Sequence, residues 1–296
     1  MTARRPRGHW LHRPGTRFAL LAYPGVAFVC LFILLPILSI LIFSFWRTER
    51  YVLYPHWNLE NYRVLITQPT YWVFLARSLT TATLVSLACL IYSWPVSYFI
   101  AKHGGRYRVL LVVALAAPFF TGVVLRVAAL QTILGPLGLI NMGLMNLGLE
   151  PIESLMYTRT AAGIGTGYLF VPFMVTAIYL SLVNFNFDLL EVAKVNGAKP
   201  WRAFLEVTWP LNWIGTVIGL VLVFIPSLAE SVTPQFLGGP NGASFGMILG
   251  NQFGETGTWA LGSAMGVVLF AVSFAVIAAM FRTVNLRRSG FTGVGR

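Results

Sequence analysis

The stretch Phe18–Trp46 reads FALLAYPGVAFVCLFILLPILSILIFSFW and contains no charged side chain. A run of about 20 apolar residues is long enough for a helix to cross the hydrocarbon core of a bilayer. The apolar part is too long for a cleaved signal peptide, and no small-residue cleavage site follows Trp46. The stretch therefore predicts a retained transmembrane helix.

The composition of the whole chain also indicates a membrane protein. Of its 296 residues, 57% are hydrophobic and only 10% are charged, against roughly 25% charged in an ordinary soluble domain. The short alternating segments of a transmembrane barrel are absent. The formal net charge is +12, but the basic residues lie at the ends of apolar runs, where they set membrane topology. This placement favours lipid as the neighbour and argues against nucleic acid.

Five more apolar runs follow the first, so we predict an all-α polytopic membrane protein with six transmembrane helices. The predicted spans are about Phe18–Trp46, Tyr71–Ala101, Val109–Leu134, Ala161–Leu182, Leu211–Leu237 and Trp259–Phe281. The predicted organisation is a basic tail at 1–17, the first helix at 18–46, an extracellular or periplasmic loop at 47–70, a membrane domain of five helices at 71–285 and a tail at 286–296.

The Lys and Arg residues are distributed unequally between the two sets of connections. Both tails and the connections after the second and fourth spans hold 15 of the 21, namely Arg4, Arg5, Arg7, Arg13, Arg17, Lys102, Arg106, Arg108, Lys194, Lys199, Arg202, Arg282, Arg287, Arg288 and Arg296. Connections rich in Lys and Arg stay in the cytoplasm. We therefore predict a multi-pass protein of the bacterial plasma (inner) membrane with both termini cytoplasmic. The even number of predicted spans agrees, because it requires the two termini to lie on the same side.

The cytoplasmic connection at 185–210 is long for a six-helix protein. Asp188 is placed to cap a short helix or to favour its positive end. Leu189, Val192, Ala193 and Asn196 recur at helical spacing and predict one mostly apolar face. Gly197 then allows a turn, and a second segment leads to Pro210, at the first turn of the next span. A short helix of this kind can insert its apolar face into a groove of another protein.

This connection resembles the coupling-helix motif of ATP-binding-cassette (ABC) importer permeases, which is Glu-Ala-Ala, three residues, Gly, nine residues, Ile, one residue, Leu-Pro. Glu191, Ala193, Gly197, Val207 and Pro210 hold those positions with the spacing intact. Departures from the motif are Val192 for the second Ala, Val207 for Ile, and Trp209 for Leu. An ordinary amphipathic helix at the membrane surface is the alternative interpretation.

The resemblance implies partners as well as a fold. In the family, the coupling helix docks on a separate ATP-binding subunit, which works as a dimer, and transmits its movement to the spans. A second, related permease and an extracytoplasmic substrate-binding protein complete the importer. No GxxxxGK[ST] phosphate loop occurs in this chain. We therefore expect a transport subunit with no catalytic residues, no cofactor and no metal site.

Segments outside the motif indicate which group of importer permeases the chain resembles. Phe224–Gly239, Gly250–Phe253, Gly262–Ala264, Pro118–Arg126 and Gly138–Asn141 resemble spermidine/putrescine-type permeases. The resemblance implies a polyamine or related amine as solute, and relatives of this group also move opines, amino acids or phosphonates. An ion-coupled secondary carrier and a membrane-embedded enzyme are further alternatives, but neither explains the coupling-type connection.

Arg126 and Glu230 carry charges at positions of the predicted spans where lipid would be hostile. Pro226 and Pro234 flank Glu230 and should loosen its helix and free backbone carbonyls. A charge in the bilayer centre is costly and must face the bundle interior, a partner or water. One interpretation places Glu230 on the translocation path, where its carboxylate would suit an organic cation; the other pairs it with Arg126 or with a base of a partner subunit. Tyr168 and Phe173, beside Pro172, are further candidates for the path.

Overall fold

The computed structural model describes residues 14–152 and 155–292, and it describes side chains at 23–152 and 155–282. Residues 1–13 of the predicted N-terminal tail and 293–296 of the C-terminal tail lie outside the described residues. The α-helices are α1 (Pro14–Phe43), α2 (Glu60–Thr67), α3 (Pro69–His103), α4 (Arg108–Ala116), α5 (Val123–Leu134), α6 (Leu139–Asn146), α7 (Arg159–Val183), α8 (Asp188–Val195), α9 (Pro200–Ala203), α10 (Trp209–Leu211), α11 (Trp213–Ala229), α12 (Phe245–Phe253) and α13 (Trp259–Thr292).

Shorter elements connect these helices. Two strands, β1 (Arg47–Glu49) and β2 (Val52–Tyr54), form an antiparallel hairpin after α1. Three single turns of 3₁₀ helix lie at Gly105–Tyr107, Ala117–Phe120 and Pro240–Gly242. Two π-helical turns lie at Phe204–Thr208 and Pro234–Gly238. The protein is therefore mostly helical, as predicted, with one small hairpin that the all-α prediction missed.

Five helical segments of the described chain are long and apolar enough to cross a membrane: Tyr23–Phe43, Pro69–His103, Val123–Asn146, Arg159–Val183 and Trp259–Arg282. A sixth candidate consists of Pro200–Leu211 and Trp213–Ala229, two helical pieces bent by 72° at their junction. The predicted spans at 18–46, 71–101, 161–182 and 259–281 each coincide with one continuous helix.

The predicted third span, Val109–Leu134, is not one helix. Its first part, α4, passes into the 3₁₀ turn at Pro118, and the chain is extended at Thr121 and Gly122 before α5 begins. Proline lacks an N–H and so breaks the hydrogen-bond pattern of a helix, and glycine permits the extended link. The segment that is long enough to cross is shifted towards the C-terminus, to Val123–Asn146.

The predicted fifth span, Leu211–Leu237, is also interrupted. Helix α11 ends at Ala229, Glu230 is extended, and a π-helical turn begins at Pro234. Pro234 has no N–H to donate to the Glu230 carbonyl four residues earlier, and its ring crowds that carbonyl. The Glu230 side chain supplies an alternative partner for the backbone beyond it, as described below. The predicted span is therefore not one continuous helix, and the loosening expected between Pro226 and Pro234 is a break of the helix at Glu230.

Helices α3, α7 and α11 form the centre of the bundle, where small residues allow close approach. Gly215 and Gly219 of α11 face α7. An added Cβ at Gly219 would lie 2.6 Å from Met174 Sδ, and one at Gly215 would overlap the Ser181 side chain. Close packing of this type replaces the hydrophobic driving force that helices lack in lipid. Between α3 and α7, Ser97 Oγ donates a hydrogen bond to the Val175 carbonyl oxygen at 2.9 Å.

The β1–β2 hairpin fastens the first helix to the last. Thr48 Oγ1 accepts a hydrogen bond from the Ala260 N–H at 2.9 Å. The Tyr51 ring lies directly over Gly257, where any Cβ would overlap it. Just beyond Ala260, Ala264 and Met265 of α13 pack with Leu75 near the Pro69 end of α3, which places the hairpin at that end. Tyr98 and Lys102, near the other end of α3, approach the connection around α8. These two features therefore mark opposite ends of the bundle.

We expect Gly215→Val to separate α7 from α11 and to destabilise the protein by about 1–3 kcal/mol, the usual cost of inserting side-chain atoms into a packed interior. The matched control is Gly250→Val, at a helical glycine with no atom within 4 Å of an added Cβ. Thermal unfolding in detergent measures both variants. Equal midpoints for the two variants would contradict the packing described for α11.

Candidate functional site

Helix α8, in the connection between α7 and α11, is stabilised at both ends. At its start, the Asn186 side-chain oxygen accepts a hydrogen bond from the Asp188 N–H at 2.9 Å. Asp188 itself lies in the first turn, where a negative charge is favourable, so it acts through charge rather than as the cap. At its end, the Ala198 N–H donates to the Ala193 carbonyl at 3.0 Å and the Gly197 N–H to Lys194 at 2.8 Å.

These two bonds form a Schellman motif, which requires a left-handed residue at the position of Gly197. Its φ is +81°, a conformation that costs an ordinary L-residue about 1–2 kcal/mol. The glycine thus ends α8 after two turns and turns the chain towards α9. The sequence prediction of a turn at Gly197 is confirmed.

Helix α8 presents two different faces. Leu190 is buried against the bundle, whereas Leu189 and Val192 are exposed, with 57% of Val192 accessible, and Val195 is more exposed still. Asn196 is also exposed and Ala193 is half-buried. The predicted apolar face is therefore present, with Val195 added to it and Ala193 at its edge. Leu190 is the inward anchor that the sequence pattern did not single out.

The second half of the connection packs inward through aromatic rings. Trp209 stacks on Trp94 of α3 with ring centroids 5.2 Å apart, and Phe204 meets the same indole edge-on at 5.1 Å. Val207 and Pro210 are half-buried. Trp209, which departs from the motif, thus contacts its own chain, so the large ring fixes this segment to the spans.

Charged pairs lie on the outer surface of the connection. Lys194 Nζ is 2.7 Å from Glu191 Oε1, and Arg202 Nε is 2.6 Å from Glu206 Oε1. The hydrogen bond and the charge of Lys194 lower the pKa of the Glu191 carboxyl, and the more distant Lys102 charge acts in the same direction. Both pairs are well exposed, so each contributes little to stability.

Glu230 holds the chain where α11 ends. Its Oε1 accepts hydrogen bonds from the Val232 N–H at 2.9 Å and the Thr233 N–H at 3.1 Å. The Glu230 carbonyl accepts a hydrogen bond from Ser244 Oγ at 2.9 Å. The carboxylate therefore satisfies the backbone donors of the segment that follows it, which is a structural role that the sequence did not predict.

Two arginines lie beside Glu230. Arg77 of α3 and Arg159 of α7 line the same cavity as Glu230, together with hydroxyl groups such as that of Ser227. The cavity volume of about 20 Å³ is enough for about one water molecule. Neither arginine was predicted from the sequence as a site residue. Arg159 is the first residue of α7 and Arg77 lies in the third turn of α3, and a basic residue near the start of each apolar run was the signal that could have linked them to Glu230.

Arg126 lies over an aromatic ring and forms no ion pair with Glu230 among the described side chains. It is 6% exposed on α5, its guanidinium carbon is 5.5 Å from the centre of the Phe119 ring, and Phe119 meets Phe173 edge-on at 5.0 Å. Within residues 23–152 and 155–282, the ion pairs are Arg47–Glu49, Glu191–Lys194 and Arg202–Glu206, so Arg126 and Glu230 do not form one. Tyr168 is exposed on α7. The four candidates for the path thus divide into at least two groups.

Comparisons with known proteins identify the family. Residues 95–290 match the family model described as the binding-protein-dependent transport system inner membrane component. The spermidine/putrescine transport system permease protein PotB of Escherichia coli K12 is 31% identical over 264 residues, which cover 88% of this chain and 95% of PotB. PotB of Haemophilus influenzae is 29% identical over 86% of this chain and 90% of its own length.

Solved structures show the same fold. A bacterial ABC transporter that imports the acidic polysaccharide alginate matches with a TM-score of 0.71 and 16% identity, over 92% of this chain and 96% of that chain. The MetNI methionine ABC transporter matches with a TM-score of 0.54 and 16% identity, over 75% of this chain and 99% of that one.

The family match, the PotB relatives and the apolar helices agree on a multi-pass protein of the inner membrane. The chain belongs to the family of binding-protein-dependent transport system inner membrane components and is a permease subunit of an ABC importer.

Proposed function

We propose that this permease docks on a separate ATP-hydrolysing subunit through α8 and its outward face, with the connection and both termini in the cytoplasm. The exposed Leu189, Val192 and Val195 on a helix of only eight residues carry the proposal. Apolar side chains on a helix outside the spans are the usual anchors for a groove in a partner. Leu190 is buried on the inner side of α8, and the Trp94–Trp209 stack attaches the second half of the connection to α3, so that movement of the partner would reach the spans.

The proposed importer contains further subunits. A second permease, related to this chain, would complete the path, and two ATP-binding subunits would each receive one coupling connection. A substrate-binding protein would deliver the solute at the opposite end, where the β1–β2 hairpin lies. Glu191, Ala193, Gly197, Val207 and Pro210 would shape the coupling connection, in the roles that the motif assigns to them.

The proposed solute is a polyamine such as spermidine or putrescine, or a related amine. The support is the 31% identity to a permease whose name states that transport and the carboxylate of Glu230 at the break after α11. A second candidate is a solute that also carries an anionic group, such as an amino acid, opine or phosphonate. The observation that favours it is the presence of Arg77 and Arg159 beside Glu230.

We expect Val192→Glu to abolish docking, because a carboxylate forced into an apolar groove loses its hydration without gaining a partner. Binding of the ATPase subunit should fall by about 30-fold or more, equivalent to about 2 kcal/mol. The measurement is co-purification of the ATPase with the permease.

The matched control is Val52→Glu on β2, where the side chain is 52% exposed at the opposite end of the bundle. This variant should retain the ATPase fully. If Val192→Glu retained the ATPase while Val52→Glu lost it, the proposed orientation and the coupling role of α8 would both be wrong.

Uptake of labelled spermidine into proteoliposomes that contain the complete importer tests the solute. We expect uptake to require ATP inside the vesicles and the binding protein outside, and unlabelled putrescine to compete. Competition by an amino acid or phosphonate instead of putrescine would select the second candidate. Uptake driven by a proton gradient without ATP would indicate an ion-coupled carrier.

Glu230→Gln separates the two interpretations of Glu230. Glutamine keeps the oxygen that accepts from Val232 and Thr233 but removes the charge, so the chain break should remain intact. If the carboxylate contacts a cationic solute, uptake should fall by about tenfold with normal assembly, since a hydrogen bond to a charged group contributes about 1.5–3 kcal/mol. Loss of the assembled complex would instead assign Glu230 a purely structural role.

A further inference from the structure

A cavity of about 440 Å³ lies between α3 and the coupling connection. One wall is a single face of α3, with Trp94, Tyr98 and Lys102 at successive turns. Leu190 and Lys194 of α8 and Phe204 of the π-helical turn form the other walls. The cavity thus lies directly behind the helix that presents Val192 to the outside, and its volume falls within the range of small-molecule sites.

The charge of this cavity has one sign. Its charged lining residues are Lys102 and Lys194, and no acidic residue lines it. Lys194 is already bound to Glu191 at 2.7 Å. Lys102 Nζ donates to the Tyr98 hydroxyl at 3.2 Å and lies 5.5 Å from the centre of its ring. None of the ion pairs in the described side chains includes Lys102, and its charge acts on Glu191 only over a longer distance, so it can attract a second anion.

We propose that this cavity binds an anionic phospholipid, with the headgroup phosphate at Lys102 and the start of an acyl chain against Trp94, Leu190 and Phe204. An apolar interior beneath a basic rim matches an amphiphile with an anionic head, and basic pockets between helices at the cytoplasmic side recognise such headgroups. The placement at that side rests on the proposed function, which puts the coupling connection in the cytoplasm.

The occupant would stiffen the coupling connection. Leu190 and Phe204 belong to the two halves of the connection, and both face α3 across the cavity. A chain that fills the space supplies dispersion contacts that an empty space lacks. Force applied to α8 would then compress the cavity less and move α3 more.

Native mass spectrometry of the complete importer, titrated with phosphatidylglycerol or phosphatidylcholine, tests the site. We expect tighter binding of phosphatidylglycerol, weakened about fivefold by Lys102→Gln, the effect of one basic residue near an anionic lipid. Lys102→Arg should retain binding. The matched control is Lys199→Gln, an exposed lysine of the same connection that does not line the cavity.

Ala203→Leu, on the cavity wall, keeps both lysines and fills part of the space. It should also weaken phosphatidylglycerol binding. Equal affinities in Lys102→Gln and Lys199→Gln would overturn the proposal, as would full binding in Ala203→Leu. ATP-driven uptake in phosphatidylcholine proteoliposomes tests the proposed function separately, because it does not require the anionic lipid.

Discussion

Inside a bilayer, every backbone N–H and C=O group must find its partner within the protein. This chain leaves the helical conformation at several points within or near its spans, and the break after α11 has such partners. After α11, Glu230 Oε1 accepts from two N–H groups, and Ser244 Oγ donates to the Glu230 carbonyl. Gln131 then donates to the Phe236 carbonyl at 2.9 Å. The irregular segment is therefore stable because polar side chains replace water.

The connection between α7 and α11, which contains α8, depends on how its apolar side chains are divided between two faces. Its inner side buries Leu190 and is attached to the bundle by the stack of Trp209 on Trp94, and its outer side leaves Leu189, Val192 and Val195 accessible. In the proposed role, a connection that was loosely packed on its inner side would not transmit the movement of the ATPase subunit to the spans. A connection that was polar on its outer side would offer no apolar side chains to a groove of that subunit. The division of apolar side chains between two faces gives a short helix both a firm base and a free surface.

Much of this fold follows from the sequence, because long apolar runs indicate where the chain crosses the lipid and basic connections indicate where it leaves it. The spans around α1, α3, α7 and α13 coincide with predicted runs, and Gly197 turns the chain as the motif requires. The break at Thr121 was missed because apolarity continues through it, while the helix does not. Around Glu230 the flanking prolines indicate a loosened helix, but hydropathy does not register the hydrogen bonds of the Glu230 side chain or the bond from Ser244 to its carbonyl.

The candidate path was harder to predict than the coupling connection. Arg126 and Glu230 stand out in sequence as intramembrane charges, yet Arg126 lies by Phe119 and Glu230 by Arg77 and Arg159. The sequence pattern identifies charged residues whose placement within the bilayer is energetically unfavourable, but it does not identify their neighbours. The coupling motif, in contrast, is local, so its spacing alone defines most of its geometry.

The hairpin clasp between Thr48 and Ala260 limits how the first and last helices can move. Since Tyr51 also lies over Gly257, α1 and α13 are joined at one end of the bundle by a pivot. Relative motion of these two helices is therefore restricted most beside the hairpin and least at the opposite end of the bundle. The two helices would then separate mainly at the end of the bundle where α8 lies.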